Sequence, residues 1–265
     1  MKIRASSLSD LFDCPARWEA RYITKLPPLP TSGNARLGTA VHAGTALYDQ
    51  SRIIHAGLTI DDAAGAVVDS IWDSSKEDTD WSETPQREAE KIALALHSKY
   101  CREISPRFEY VDVEAECSAL TIRDLDITLT GTTDRVYQDT LTGEYGIADI
   151  KTGKNAVSAK GEVKTASHAA QIAVYELLAE QATARPINAD AKIIGLATAK
   201  TSASQRAGIG TISGAKEVLL GSDTHKGLLE MASAMIKTGI FYGNPKSSLC
   251  NPKYCPNYQL CKFRR

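Results

Sequence analysis

The chain has 265 residues, 43% hydrophobic and 24% charged, with 31 Lys and Arg against 32 Asp and Glu for a formal net charge of −1. That describes a soluble globular protein with a sizeable core and excludes a globally basic nucleic-acid binder. No stretch reaches the roughly 18 apolar residues of a membrane span, and no apolar run follows Met1-Lys2-Ile3-Arg4, so no membrane partner, no signal peptide and a cytoplasmic setting are expected.

In chain order, residues 6–22 read as a first helix carrying Cys14, within Leu11-Phe12-Asp13-Cys14-Pro15-Ala16-Arg17-Trp18. Pro27, Pro28 and Pro30 with Gly33 make a linker. Arg36-Leu37-Gly38-Thr39-Ala40-Val41-His42-Ala43-Gly44 opens a helical run to about Ala56. Thr59-Ile60-Asp61-Asp62 is a helix cap for 60–72, Ser74 to Glu83 is an acidic loop, and Thr84-Pro85 starts a helix ending before Ser105-Pro106. Residues 36–105 are thus a helical segment packed on one side of a core at 106–200, between a helix and linker at 1–35 and a helical, cysteine-bearing end at 201–265, all in one domain.

Residues 107–121 and 124–138 are rich in Val, Ile, Thr, Phe and Tyr and read as strands. Asp139-Thr140-Leu141-Thr142-Gly143 is turn chemistry, and Glu144 to Lys151 returns as the partner strand of a hairpin. A symmetric turn sets Asp134 opposite Asp149, whereas a bulge at Gly143 slips the register by one. Asp149 and Lys151, two apart on a strand, share a face, and Ile150 points the other way. Two carboxylates can hold a divalent metal and a lysine beside them can orient a water, the minimum for metal-assisted phosphodiester hydrolysis.

Lys164 to Gln181, free of Gly and Pro, reads as a helix with Lys164, His168, Gln171 and Tyr175 in one stripe. Ala191 to Thr198 is a further strand, reached by a crossover onto the same sheet. Residues 201–214 are a loop or hairpin edge, and Ala215 to Thr238 is helical with a break near Gly221-Ser222-Asp223. Lys151, Lys154, Lys160 and Lys164 supply a local positive track after the carboxylate strand, and Arg264 and Arg265 close the chain.

Six cysteines are present, and Cys250, Cys255 and Cys261 crowd the C-terminal end with Cys14 as a candidate fourth partner. Such a set can form disulfides, hold zinc or hold an iron–sulfur cluster. A cytosolic setting disfavours disulfides, and structural zinc sites favour pairs of short Cys-x2–4-Cys knuckles, of which only one is present here. Cys101 and Cys117 read as small buried residues.

The order Gly38-x3-His42, Gly131-Thr132-Thr133-Asp134, Asp149-Ile150-Lys151 and Gln171-x3-Tyr175 resembles the RecB-type branch of the PD-(D/E)XK nucleases, and the cysteines resemble the 4Fe-4S staple of its phage and CRISPR-associated exonucleases. The resemblance implies an α/β fold: a small mixed sheet flanked by helices, with a helical insert and a cysteine cluster joining the termini. It implies that His42, Asp134, Asp149 and the main-chain carbonyl of Ile150 hold Mg2+ or Mn2+, with Lys151 beside the attacking water. Gln171 and Tyr175 would contact DNA or orient the site, aided by Lys154 and Lys164, while Glu114 and Glu116 receive no role. Cys14, Cys250, Cys255 and Cys261 would hold the 4Fe-4S cluster, with zinc as the alternative. The expected function is an exonuclease on single-stranded or end-frayed DNA, in a bacterial or phage-infected cell, with a separate helicase, recombinase or CRISPR-adaptation partner. A structure-specific endonuclease and an inactive DNA-binding scaffold are the alternatives.

Overall fold

Six strands form one mixed sheet, and helices cover both of its faces. The computed structural model describes residues 1–75 and 78–264; Lys76 and Glu77 of the acidic loop, and Arg265, lie outside the described residues. The chain opens with a strand too short to be read from sequence, β1 (Lys2–Arg4). The helix expected over 6–22 is two helices, α1 (Ala5–Asp13) and α2 (Pro15–Tyr22), broken at Cys14. Pro15 is the cause: its ring disfavours the helical region for the residue before it, and Cys14 sits at φ −150°, ψ 91°.

The proline-rich linker ends in β2 (Thr31–Ser32), which pairs in parallel with β3 (Thr79–Asp80). Between them lie α3 (Gly33–Ile53) and α4 (Ile60–Trp72); α5 (Gln86–Glu103) follows. The cap at Thr59 is a full capping box, its hydroxyl accepting from Asp62 N–H while Asp62 accepts from Thr59 N–H.

Next come β4 (Glu109–Ile122), β5 (Ile127–Gln138) and β6 (Tyr145–Gly153), then α6 (Ala169–Thr183), β7 (Ala191–Ala197) and β8 (Ala207–Ile212). The sheet order is β1-β5-β6-β7-β8, with β4 also on β5. β6 and β7 run parallel with α6 between them, and β8 is the antiparallel edge. The end of the chain is α7 (Ala215–Leu220), the small hairpin β9 (Gly221–Ser222) and β10 (His225–Lys226), and α8 (Leu228–Thr238).

One helix start differs from expectation. α6 begins at Ala169, so Lys164 lies in the preceding loop. A bridge between Val157 and Val163, with Lys164 N–H given to Ala156 O, holds that stretch extended.

Alternation along β6 divides the core. Ile147 joins Leu8, Trp18, Ile172, Leu178 and Leu229 under α1, α2, α6 and α8. Ala148 and Ile150 join Leu37, Val41, Val67, Leu96 and Tyr100 under α3, α4 and α5. Each fully buried Leu or Ile contributes about 1.5–3 kcal/mol, so both faces hold the sheet. Among the described residues no helix is long and apolar enough to cross a membrane.

Candidate active site

The site lies where the sheet forks. One edge of β5 is shared between two strands, β6 over Arg135–Gln138 and β1 over Thr128–Thr130. The β5–β6 ladder closes at Arg135 and Ala148, which makes Asp134 and Asp149 the next opposed pair. The symmetric register therefore holds; Gly143, at φ +75°, completes the turn without a slip. Beyond the last pair the main-chain groups of Ile150 find other partners. Its N–H donates to Asp134 Oδ2 at 2.7 Å, and its carbonyl lies 3.0 Å from His42 Nε2. His42 Nδ1 is 3.6 Å from Asp134 Oδ1.

Two glycines allow this approach. A Cβ on Gly38 would stand 2.6 Å from Thr152 Oγ1, so only glycine lets α3 lie this close to β6. His42, one turn on, then reaches the Ile150 carbonyl. A Cβ on Gly131 would stand 2.9 Å from the Tyr175 ring. That close fit seats Tyr175 in the core, 7% exposed, where its hydroxyl accepts from Gln171 Nε2 at 2.9 Å.

Asp149 is 1% exposed. Lys151 Nζ sits 2.6 Å from its Oδ2 as an ion pair, and its Oδ1 has no hydrogen-bond partner among the described residues. Burial, with Asp134 beside it, pushes this carboxyl up to about 6, against the pull of Lys151. Glu114, on β4, is raised by burial and by Asp134, with His42 and Arg135 opposing. His168, just before α6, is held down to about 4 by burial and by the charges of Lys151 and Lys164. It is therefore a neutral imidazole at neutral pH.

Behind the carboxylates lies a network that sequence reading missed. Arg135 is fully buried; its Nε donates to Asp49 Oδ2 at 2.8 Å, Nη1 to the carbonyl of Asp134 at 2.7 Å and Nη2 to Thr45 Oγ1 at 3.2 Å. Tyr100 and Ser105 hydroxyls donate to the same Asp49, each at 2.5 Å. The Asp134 backbone is thus tied to α3 and α5. Nothing local in the sequence marks Asp49, whose partners lie 51 to 86 residues away.

The cysteines form a separate cluster. Cys14, Cys250, Cys255 and Cys261 all line one small pocket, while Cys101 and Cys117 lie elsewhere. Burial raises the Cys255 thiol, and Cys14 and Cys261 are close enough to add to that rise. The C-terminal segment docks on the α1–α2 corner: Ala16 N–H donates to Tyr242 O, Asn244 Nδ2 to Asp13 O and Ser247 Oγ to Asp13 Oδ2. Lys154 lines a groove with Thr152, Gly153, Lys200 and Arg206, directly beyond Lys151 on the chain; Lys164 is exposed.

The family model for the PD-(D/E)XK nuclease superfamily matches residues 3–262. No curated protein matches the sequence. Among solved structures the chain is similar to SSO0001, with 12% identity, a TM-score of 0.39 and 98% of each chain covered, a likeness too loose to bear on function.

Proposed function

The chain belongs to the PD-(D/E)XK nuclease superfamily, and from that premise we propose that it is a metal-dependent deoxyribonuclease, an exonuclease on single-stranded or end-frayed DNA. The observation that carries this is the clasp on Ile150, which gathers His42, Asp134, Asp149 and Lys151 at one fork of the sheet. Enzymes of this superfamily use divalent ions, and the donors here fit one. His42 Nε2 donates to the Ile150 carbonyl at 3.0 Å, which leaves Nδ1, 3.6 Å from Asp134 Oδ1, as the ring nitrogen with a lone pair for an ion. The buried Asp149 has Lys151 on Oδ2 at 2.6 Å, and its Oδ1 is left without a hydrogen-bond partner among the described residues, which a cation would supply. His42, Asp134, Asp149 and the Ile150 carbonyl are the proposed ligands of Mg2+ or Mn2+.

Once bound, the ion supplies a polarised phosphate and a water of lowered pKa. Lys151 would orient the attacking water and offset the charge that develops on the phosphorus oxygens. Tyr175 fixes Gln171 for contact with DNA. Lys154, Lys164 and the groove beyond Lys151 hold the phosphate backbone without reading sequence.

The convergence of Cys14, Cys250, Cys255 and Cys261 supports a 4Fe-4S cluster, with zinc as the alternative. Four thiolates from both ends of the chain would pin the termini to the α1–α2 corner, so that the chain works as one nuclease domain. A cytoplasmic setting in a bacterial or phage-infected cell, with a separate helicase, recombinase or CRISPR-adaptation partner, completes the reading.

The test is cleavage of end-labelled linear single-stranded and duplex DNA, and of closed circles, with Mn2+ or Mg2+, wild type beside Asp149→Ala. Metal-dependent loss of linear DNA, with circles spared and the variant inactive, is expected. Cut circles would make it a structure-specific endonuclease. DNA binding without cleavage would make it a scaffold.

A further inference from the structure

We infer that Glu114 is a further ligand of the active-site cation, contributed by the strand that precedes the motif-bearing hairpin. This deepens the metal-dependent reading above and rests on it. The pairs Val113–Arg135 and Ala115–Thr133 set Glu114 across from Asp134. A carboxylate oxygen of each and a ring nitrogen of His42 all lie within 4.8 Å of one another. Donors on opposite sides of an ion with oxygen bonds of about 2.1–2.4 Å stand roughly 4–5 Å apart, so all three fit around a single ion. Two carboxylates and an imidazole suit a Mn-like cation.

A second observation is independent of this cluster. Asp149 follows in register opposite Asp134 and is 1% exposed; its Oδ2 pairs with Lys151 Nζ at 2.6 Å, and its Oδ1 is left without a hydrogen-bond partner among the described residues. A buried carboxylate in that state is a group a cation completes.

The backbone adds a third point. Glu114 sits at φ +51° inside a strand, in the left-handed region that a non-glycine residue occupies at a cost. Arg135 Nη1 lies 3.5 Å from Glu114 Oε1, so a buried cation steadies the carboxylate there. Glu114 and Glu116 are both exposed, but only Glu114 belongs to the cluster; Glu116 pairs across to Thr132.

The experiment is Mn2+ titration of the full chain, followed by the electron paramagnetic resonance signal of the free ion, with a melting curve of the metal-free protein alongside. Glu114→Gln should weaken Mn2+ binding at least about tenfold, and Glu116→Gln should leave it unchanged. Glu114→Gly should weaken binding as much while raising the melting temperature, because glycine adopts positive φ without strain. Stability and affinity moving in opposite directions is a signature that a merely structural glutamate would not give. If both Glu114 variants bind Mn2+ as wild type does while Asp149→Ala loses it, the ligand role is overturned and the nuclease reading stands. If wild type itself binds no Mn2+, both fall.

Discussion

Replacing Asp49 with alanine should destabilise the protein by about 3–5 kcal/mol, the cost of removing one partner of a buried ion pair. Both side chains of the Asp49–Arg135 pair are 0% exposed. Asp49 accepts three hydrogen bonds, from Arg135, Tyr100 and Ser105. The alanine variant leaves the guanidinium, which cannot shed its proton, with the Asp134 carbonyl, Thr45 and a 3.5 Å contact to Glu114, and takes a short acceptor from the Tyr100 and Ser105 hydroxyls. Against a total stability of about 5–15 kcal/mol, that loss is a large share. The assay is urea unfolding: with an m-value of about 2–3 kcal/mol/M, the midpoint should fall by roughly 1–2.5 M. Adding Arg135→Met to Asp49→Ala removes the stranded charge and should recover a substantial part of the loss. A single variant that loses under about 1 kcal/mol, or a double variant no better than the single, would refute the idea that this pair anchors β5 on α3.

Four further outcomes are expected. Gly38→Ala should push α3 off β6 and cost about 1–3 kcal/mol in urea unfolding; adding Thr152→Ala should relieve it, because the Oγ1 at 2.6 Å is removed and the next atom lies at 3.9 Å. Lys151→Ala should abolish cleavage while Mn2+ and DNA binding persist, and retained cleavage would take the lysine out of the reaction. Cys255→Ser should lose the brown colour and bound iron of wild type and lower its melting temperature; a colourless wild type containing zinc would replace the cluster with a zinc site. Glu176 is 6% exposed, and burial raises its carboxyl to about 7, with Lys216 opposing and Glu180 and Asp190 adding. A carboxyl raised on folding holds more protons folded than unfolded between about 4.5 and 7, so its contribution to stability falls as pH rises through that window. Glu176→Gln should therefore match wild type in urea unfolding near pH 4 and exceed it by up to about 3 kcal/mol at pH 8; an equal pH dependence in the two proteins would count against this.

The motif residues were legible because their geometry is local. Period-two alternation alone puts Asp149 and Lys151 on one face, whereas the register that sets Asp134 against Asp149, open in the sequence to a one-residue slip, is fixed by the six-residue loop 139–144. Gly38 and His42 are one helical turn apart, whereas the corner at Cys14, although local to Pro15, divides the single helix expected over 6–22. α6 starts later than helix propensity at 164–168 predicts because pairing between Val157 and Val163, which no local preference encodes, holds the preceding stretch extended.

Other features arise from contacts between distant parts of the chain. The fork exists because β1, three residues long, takes the lower edge of β5 more than a hundred residues away. Asp49 and Arg135 meet across 86 residues, and Glu114 reaches His42 through a backbone conformation that its side chain disfavours. Residue types and their spacing along one strand or one turn follow from steric preferences of a few neighbouring dihedrals. Which buried charge meets which is settled by packing, when two distant elements exclude water and leave each polar group only the partners within reach.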